Sequence, residues 1–340
     1  MPVRRALILA DDLTGAADCA AQALRHGLTA AVALRPGAGV DADVLALDLD
    51  TRRGGAREAY AATRDAARGG APLLYVKLDS LLRGHVGAAL DGALDGAGAV
   101  TAVVAPAFPG QGRTTVGGRQ LVDGEEVGDL LGTLREQTAR EVTHVRDGAL
   151  DRPGLLVCDA EADDDLARIV AVRPEGVVWA GSAGLARALF RGLSSGGGGP
   201  PAAAPGGPAL VVVGTQAAAA QLEALLGRAG SIGIPAGPHA GEEARAALAR
   251  GDDAVLYGEA SAGADLTAAV EHAAGLVLTG GETARAVCDR VGVTAIELIR
   301  EIEPGVPLGR AGELGIVTKA GAFGNPGTLC RAVDAIRSGA

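Results

Sequence analysis

Short apolar runs recur along the chain, and an Ala-rich stretch with helical spacing follows most of them. The runs are rich in Val, Ile and Leu and end at Gly, Ser or Asp. A parallel strand needs a long crossover, usually a helix, to reach the next strand, so this alternation indicates a mostly parallel sheet flanked by helices. The pattern predicts an α/β fold with strands at residues 6–10, 30–34, 44–49, 73–77, 102–105, 155–159, 176–180, 209–213, 254–257, 275–279 and 315–318.

One segment interrupts the pattern. Residues 194–208 contain only Ser, Gly, Pro and Ala and have no apolar periodicity, as is typical of a linker. The length of 340 residues, at roughly 150 per domain, also favours two domains. We therefore predict one domain over 1–193, a linker over 194–208 and a second domain over 209–340. A long surface loop within a single domain is the alternative.

The net charge of −10 disfavours binding to polyanions, which attract proteins with a basic surface. Nucleic acid and anionic membranes are such partners, so neither is expected. The first apolar run ends at Asp11 and Asp12, well short of a signal-peptide core or a membrane span, which predicts a cytoplasmic protein. The four Cys residues are far apart in sequence, and free thiols are expected.

Two carboxylates and a hydroxyl, those of Asp11, Asp12 and Thr14, follow the first predicted strand. In open α/β sheets, ligands bind at the carboxyl ends of the strands. An acidic pair can accept hydrogen bonds from sugar hydroxyls, and one member can take a proton from the attacking hydroxyl. Capping of the next helix by Asp12 or Thr14 is the alternative.

Two cations, a carboxylate and a hydroxyl follow the strand that ends at Lys77, namely Lys77, Asp79, Ser80 and Arg83. The Arg83 fork and the Lys77 ammonium are suited to holding a substrate carboxylate. An ion-pair cluster that satisfies itself is the alternative. Arg113 adds a further cation in a Gly/Pro-rich loop after another strand.

Glycine turns follow two strands in the second half of the chain. Residues 280–283 (GGET) precede a predicted helix, and residues 319–324 (KAGAFG) follow the last predicted strand. Glycines let backbone N–H groups approach a phosphate, and a helix N-terminus adds partial positive charge. Neither turn has the spacing of a Walker A motif. Ordinary tight turns are the alternative.

Nine segments resemble, in order, motifs of the four-carbon acid sugar kinase family, which includes kinases for threonate, erythronate and 3-oxo-tetronate. The segments are 10–16 (ADDLTGA), 50–52 (DTR), 77–84 (KLDSLLRG), 105–109 (APAFP), 112–114 (GRT), 181–186 (GSAGLA), 280–283 (GGET), 303–307 (EPGVP) and 319–324 (KAGAFG). They span nearly the whole chain. The resemblance implies an N-terminal acid-sugar domain, a C-terminal ATP domain and an active site in the cleft between them.

The implied reaction is ATP-dependent phosphorylation of a hydroxyl of a small acidic sugar, with Mg²⁺ accompanying ATP. Asp12 is the preferred general base, ahead of Asp11 and Asp79. The resemblance places these residues on the substrate side: Asp12, Lys77, Asp79, Ser80 and Arg83. It places these on the nucleotide side: Gly280, Gly281, Glu282, Thr283, Lys319, Gly321 and Gly324. The sequence assigns no metal ligands and leaves a homodimer open.

One departure from the family concerns the start of the second domain. Members usually have a Gly-Ser-x-Ser turn that contacts ATP, whereas this chain has Gly214-Thr215-Gln216-Ala217, so that Thr215 keeps one hydroxyl of the two. A noncatalytic sensor of acid sugar and nucleotide is therefore the alternative function. A dinucleotide-dependent dehydrogenase is disfavoured because Asp11 and Asp12 stand where a G-x-G-x-x-G would bind pyrophosphate.

Overall fold

The computed structural model describes residues 4–193, 199, 201–202, 204–258, 261–321 and 323–339. The chain forms two compact units: the first comprises residues 1–30 and 41–198, and the second comprises 31–40 and 199–340. Much of the predicted linker, residues 194–198, 200 and 203, lies outside the described residues. The predicted domain boundaries stay a prediction.

The elements up to residue 193 are, in chain order, β1 (Ala6–Ala10), α1 (Leu13–Ala21), β2 (Ala30–Ala33), β3 (Val44–Asp48), α2 (Ala56–Ala67), β4 (Leu73–Lys77), α3 (Val86–Ala97), β5 (Thr101–Ala105), β6 (Arg113–Val116), β7 (Arg119–Val122), β8 (Glu125–Asp129), α4 (Leu130–Gln137), β9 (Val142–Val145), β10 (Gly154–Cys158), α5 (Asp163–Ala171), β11 (Val178–Gly181) and α6 (Ala183–Phe190). Those that follow are β12 (Ala209–Val213), α7 (Ala219–Leu226), β13 (Ser231–Pro235), α8 (Ala240–Ala249), β14 (Asp253–Tyr257), α9 (Thr267–Val270), β15 (Gly275–Thr279), α10 (Gly281–Arg290), β16 (Ala295–Glu303), β17 (Val306–Ala311), β18 (Leu314–Lys319) and α11 (Thr328–Ser338). Among these described elements, no helix is both long and apolar enough to cross a membrane.

The main sheet of the first unit is parallel, in the order β3-β1-β4-β11-β5-β10-β9. Ala10 at the end of β1 lies beside both Asp48 and Lys77, and Gly181 lies beside Lys77 on the other side. The strands therefore end in line, and the residues after them meet at one edge of the sheet.

The second unit has the strand order β13-β14-β12-β15-β18-β17-β16, with β2 beside β16. Its first five strands are parallel, whereas β17 pairs antiparallel with both neighbours. Thr279 lies beside Val213 and Lys319, so the turns after β12, β15 and β18 share one edge. The Leu34 N–H donates to the Thr294 carbonyl at 2.9 Å, which ties the segment after β2 to this unit.

Central strands are buried along their whole length, as in β1, β5, β10, β12 and β15. Parallel strands covered by helices on both faces read as continuous apolar runs, which is why the sequence pattern located them. Close packing of α3 against α2 depends on glycine. A β-carbon at Gly92 or Gly96 of α3 would overlap the α2 backbone at Tyr60 or Arg64.

The predicted α/β fold, with mostly parallel strands flanked by helices, is confirmed, and each of the eleven predicted strands overlaps an observed one. The pattern missed β6 to β9, β13 and β16, which are short, polar or partly exposed, and also β17, which is interrupted by Pro307 and Gly309. One correction affects a candidate site residue: Arg113 is the first residue of β6, not part of a loop. It lies on a separate antiparallel sheet, β6-β7-β8, in the first unit.

The four Cys residues keep their thiols, as predicted.

Candidate functional site

Each unit carries a candidate site of its own, at the edge where its parallel strands end. In the first unit, Asp12 is the N-cap of α1, where its Oδ1 accepts from the Gly15 N–H at 3.1 Å. Its Oδ2 accepts from the Thr14 hydroxyl at 2.6 Å. Helix capping, the alternative to a catalytic role, is therefore present at Asp12. Capping does not account for all contacts of the Asp12 carboxylate, because Asp12 also pairs with a cation.

That cation is Arg52, which joins three carboxylates. Its Nε and Nη2 donate to the two oxygens of Asp11 at 2.8 and 2.7 Å, and Nη2 also donates to Asp12 at 2.8 Å. The same nitrogen lies 3.6 Å from Asp79. Only 16% of the Arg52 side chain is exposed, so this is a largely buried charge cluster. We call Asp11, Asp12, Arg52, Lys77, Asp79 and Arg83 the charge cluster.

Sequence reasoning gave Arg52 no role, although the segment 50–52 matched a family motif. The loop after β3 brings it in, because β3 lies next to β1 and the Thr51 and Arg52 N–H groups donate to the Asp11 carbonyl at 3.1 and 3.2 Å. Asp50 makes this turn in the left-handed region, with φ of 50°. The sequence signal was an arginine directly after a predicted strand, and only the strand order of the structure places it beside the acidic turn.

Lys77, at the end of β4, is buried, and its Nζ donates to the Leu78 carbonyl at 2.8 Å. It lies close to Asp12, since a β-carbon on Gly15 would collide with the Asp12 carboxylate and lie 3.0 Å from Lys77 Nζ. Asp79 accepts from Arg83 Nε and Nη2 at 2.7 and 2.8 Å. The internal ion pair foreseen as the alternative for Arg83 is thus present.

Charges within the cluster compensate one another. Burial disfavours the Asp79 carboxylate, but hydrogen bonds from Arg83 and the charges of Arg52 and Lys77 outweigh it and hold the pKa of Asp79 well below its usual range. Burial raises the pKa of Asp11, against the hydrogen bond and charge of Arg52. Burial lowers the pKa of Arg52, but the three carboxylates more than offset it and raise that pKa. Three carboxylates therefore share three cations, of which Arg52 and Lys77 are largely buried and Arg83 reaches the solvent.

The other two predicted substrate-side residues are peripheral to this arrangement. Ser80 is half-buried directly after Asp79. Arg113 donates to the carbonyl of Gln111, in the turn before β6.

In the second unit, three loops meet at the edge where β12, β15 and β18 end. A β-carbon on Gly214 would overlap the Thr283 hydroxyl, and one on Gly321 would lie 2.9 Å from Thr215 Cγ2. Gly280 lies next to both threonines and donates its N–H to the Lys319 carbonyl at 2.9 Å. The separate glycine turns predicted from sequence thus form one surface.

The N-terminus of α10 opens onto this surface. Gly280 precedes the helix with φ 95° and ψ 135°, a conformation that is essentially limited to glycine, and it supplies no side-chain cap. Gly281 and Glu282 form the first turn, and the first N–H groups of a helix have no intrahelical partner. Such a terminus is suited to a phosphate.

Lys319 ends β18 and is fully buried. Its Nζ donates to the Ala320 and Gly321 carbonyls at 2.8 and 3.1 Å. Burial lowers the pKa of Lys319 to about 8, and the charge of Glu303 opposes the shift. Among the described residues, the hydrogen-bond acceptors of this ammonium are backbone carbonyl groups.

Two residues that sequence reasoning left without a role support the loop at 321–324, of which Ala322 lies outside the described residues. Gln221 of α7 donates to the Phe323 carbonyl at 2.9 Å. Glu303 accepts from Arg331 Nε at 2.8 Å and from the Thr328 hydroxyl, and a β-carbon on Gly324 would meet that hydroxyl. In the part of the chain that the structure describes, no three His, Cys, Asp or Glu side chains group to hold a metal ion.

Two known protein families match this chain, one in its N-terminal and one in its C-terminal half. Residues 6–135 match a family described as a sugar-binding N-terminal domain, and residues 215–329 match one described as a nucleotide-binding C-terminal domain. The crystal structure of the Haemophilus influenzae protein HI1011 covers 96% of this chain and 98% of its own, with a TM-score of 0.74. At 20% identity this likeness concerns the fold alone.

Two curated relatives extend over nearly the full length. The D-threonate kinase of Cupriavidus necator is 36% identical, over 97% of this chain and 97% of its own. The 3-oxo-tetronate kinase of Methylobacterium radiotolerans is 28% identical, over 96% of this chain and 98% of its own. The family predicted from the sequence motifs is confirmed: this chain belongs to the four-carbon acid sugar kinases.

Proposed function

We propose that this protein transfers the γ-phosphoryl group of ATP to a hydroxyl of a four-carbon sugar acid such as threonate, erythronate or 3-oxo-tetronate. The observation that carries the proposal is the buried charge cluster at the carboxyl edge of the first sheet. A compensated set of carboxylates and cations can exchange its internal partners for the hydroxyls and carboxylate of such a substrate. The second unit supplies a phosphate-accepting edge.

On the substrate side, we propose that Lys77 and Arg83 attract the substrate carboxylate. Asp11, Asp12 and Thr14 are proposed to contact the hydroxyls, and Ser80 and Arg113 stay predicted substrate-side residues at the periphery. Asp12 stays the preferred general base, with Asp79 in support. Asp79 is the weaker base, since its pKa lies well below the usual range, and Asp11 is the second candidate, because burial raises its pKa.

On the nucleotide side, we propose that the phosphates bind the N-terminus of α10. Gly280, Gly281, Glu282 and Thr283 form its start, and Thr215, Lys319, Gly321 and Gly324 complete the proposed surface. Mg²⁺ is proposed to arrive on the phosphates with its waters, as is common for this ion, and would neutralise charge there. Catalysis would rest on positioning and charge stabilisation. The meeting of the two halves in a cleft, the homodimer and the cytoplasmic location stay predictions.

An ADP-release assay tests the reaction. With D-threonate, D-erythronate or 3-oxo-tetronate as acceptor, ADP should form faster than in a control with ATP alone, whereas the neutral polyol threitol should be at least about tenfold poorer in kcat/KM because it lacks the carboxylate. A protein that binds both ligands, as seen by thermal shift, and forms no ADP with any acid would be the noncatalytic sensor instead.

ATP affinity should depend on pH through Lys319. The ATP phosphates are already ionised above pH 7, so a loss of affinity between pH 7 and 9 would report a group on the protein. Because burial lowers the pKa of Lys319 to about 8, its ammonium is lost in this window, and the Kd for ATP should rise with pH. Lys319→Met should bind ATP more weakly at pH 7 and show a flat profile in titration calorimetry. A variant that keeps the wild-type profile would remove Lys319 from the nucleotide site.

A further inference from the structure

A groove between α5 and α6 in the first unit is separate from the residues assigned to substrate and ATP. Its volume is about 260 Å³. Leu166, Ala167 and Val170 of α5 form an apolar floor with Ala188 of α6. Drug-sized ligands usually occupy about 300–1,000 Å³, so this groove fits a smaller molecule.

Three arginines form the rim of the groove: Arg173, Arg187 and Arg191. Arg187 pairs with Asp163 and lies over the Phe108 ring at 5.7 Å. Arg173 and Arg191 are exposed, and no carboxylate of the described residues forms a salt bridge with either. Asp163 is the only acidic residue that lines the described groove. The rim therefore carries an excess of positive charge over an apolar floor.

His26 lies near two of these arginines, Arg187 and Arg191. The Nε2 atom of His26 is buried and has no hydrogen-bond partner among the described residues. Burial lowers the pKa of His26, a hydrogen bond with the Arg187 backbone opposes that, and the charges of Arg191, Arg187 and Arg25 lower it further. Arg187 and Arg191 of the rim therefore lie near enough to His26 to act on it.

The floor distinguishes this groove from the charge cluster. A polyhydroxylated sugar acid would place hydroxyls against Leu166 and Val170, where they would lose their water and gain no partner. An alkyl chain gains by burial on the same surface. The ligand that fits combines one anionic group with a short apolar body.

We propose that the α5/α6 groove binds a small aliphatic monocarboxylate, with its carboxylate between Arg173 and Arg191 and its chain on Leu166 and Val170. Carboxylate recognition by arginine is directional and charge-assisted. The two exposed guanidiniums can turn toward a ligand without breaking an ion pair of the described chain. This site is independent of the proposed kinase function.

Hexanoate is the probe, measured by titration calorimetry and ligand-observed NMR on the full chain. It should bind with a Kd of about 1–10 mM, in keeping with its few atoms, and hexan-1-ol should bind at least about tenfold more weakly. Saturating D-threonate should leave hexanoate binding unchanged. The double variant Arg173→Gln/Arg191→Gln should weaken it by at least about tenfold, because both exposed charges are lost.

Two further variants complete the test. Arg168→Gln removes an arginine of α5 that pairs with Asp165 and does not line the groove, and this variant should bind hexanoate as the wild type does. Ala188→Glu places a carboxylate in the groove and should abolish binding. The proposal is overturned if hexanol binds as well as hexanoate, if D-threonate displaces the probe, or if either groove variant retains wild-type affinity.

Discussion

Arg52→Ala should lower kcat/KM for the sugar acid by about a hundredfold or more, because it leaves Asp11, Asp12 and Asp79 without their shared cation. Removing one partner of a buried ion pair typically costs about 3–5 kcal/mol of folding stability, and the Arg52 side chain is only 16% exposed. Steady-state kinetics and urea unfolding at pH 7 measure the two effects. Arg57→Ala, an exposed arginine on α2, is the matched control and should change neither.

Acid should reduce the stability loss of Arg52→Ala. Burial raises the pKa of Asp11 and Arg52 opposes that rise, so the variant should have a still higher Asp11 pKa. A carboxyl whose folded pKa is raised costs stability above that pKa, and the cost disappears as the pH falls through it. The difference in unfolding free energy between variant and wild type should therefore be smaller at pH 5 than at pH 7. An equal difference at both values would mean that Arg52 acts through packing alone.

Gly280→Ala should raise the Kd for ATP by about a hundredfold while leaving binding of the sugar acid intact. The expected loss of ATP affinity comes from the backbone conformation and not from a steric clash, since a β-carbon at Gly280 would lie 3.7 Å from its nearest neighbour, an ordinary contact. A φ of 95° with ψ of 135° is costly for alanine, by about 1–3 kcal/mol. Relief of that strain would turn the first N–H groups of α10 away from the phosphates.

Gly292→Ala provides the comparison. Gly292 follows the same helix with φ of 77°, and a β-carbon there would meet nothing within 4 Å. Both variants should lose some stability, but only Gly280→Ala should lose the thermal stabilisation by ATP. If ATP stabilises the two variants equally, the phosphates do not bind at α10.

The site was predictable where its residues are neighbours in sequence. Lys77, Asp79 and Arg83 follow one strand, and the glycines at 280–281 precede one helix, so local spacing was enough to select them. Arg52 and Gln221 were missed as functional residues because their partners are distant in sequence. Arg52 meets Asp11 across 41 residues, and Gln221 meets Phe323 across 102.

By itself, the sequence determined the α/β class, the buried parallel strands, the family and with it the kinase reaction. These features depend on residues that are close together in the sequence. The hydrophobic periodicity of a segment indicates which of its faces is buried, and a glycine indicates a turn with a backbone conformation that other residues rarely adopt. Tertiary structure decided that Arg52 compensates three carboxylates, that residues 31–40 belong to the second unit and that Arg113 starts a strand. Each of these depends on which strands become neighbours, and strand order is set by packing between segments that no local pattern records.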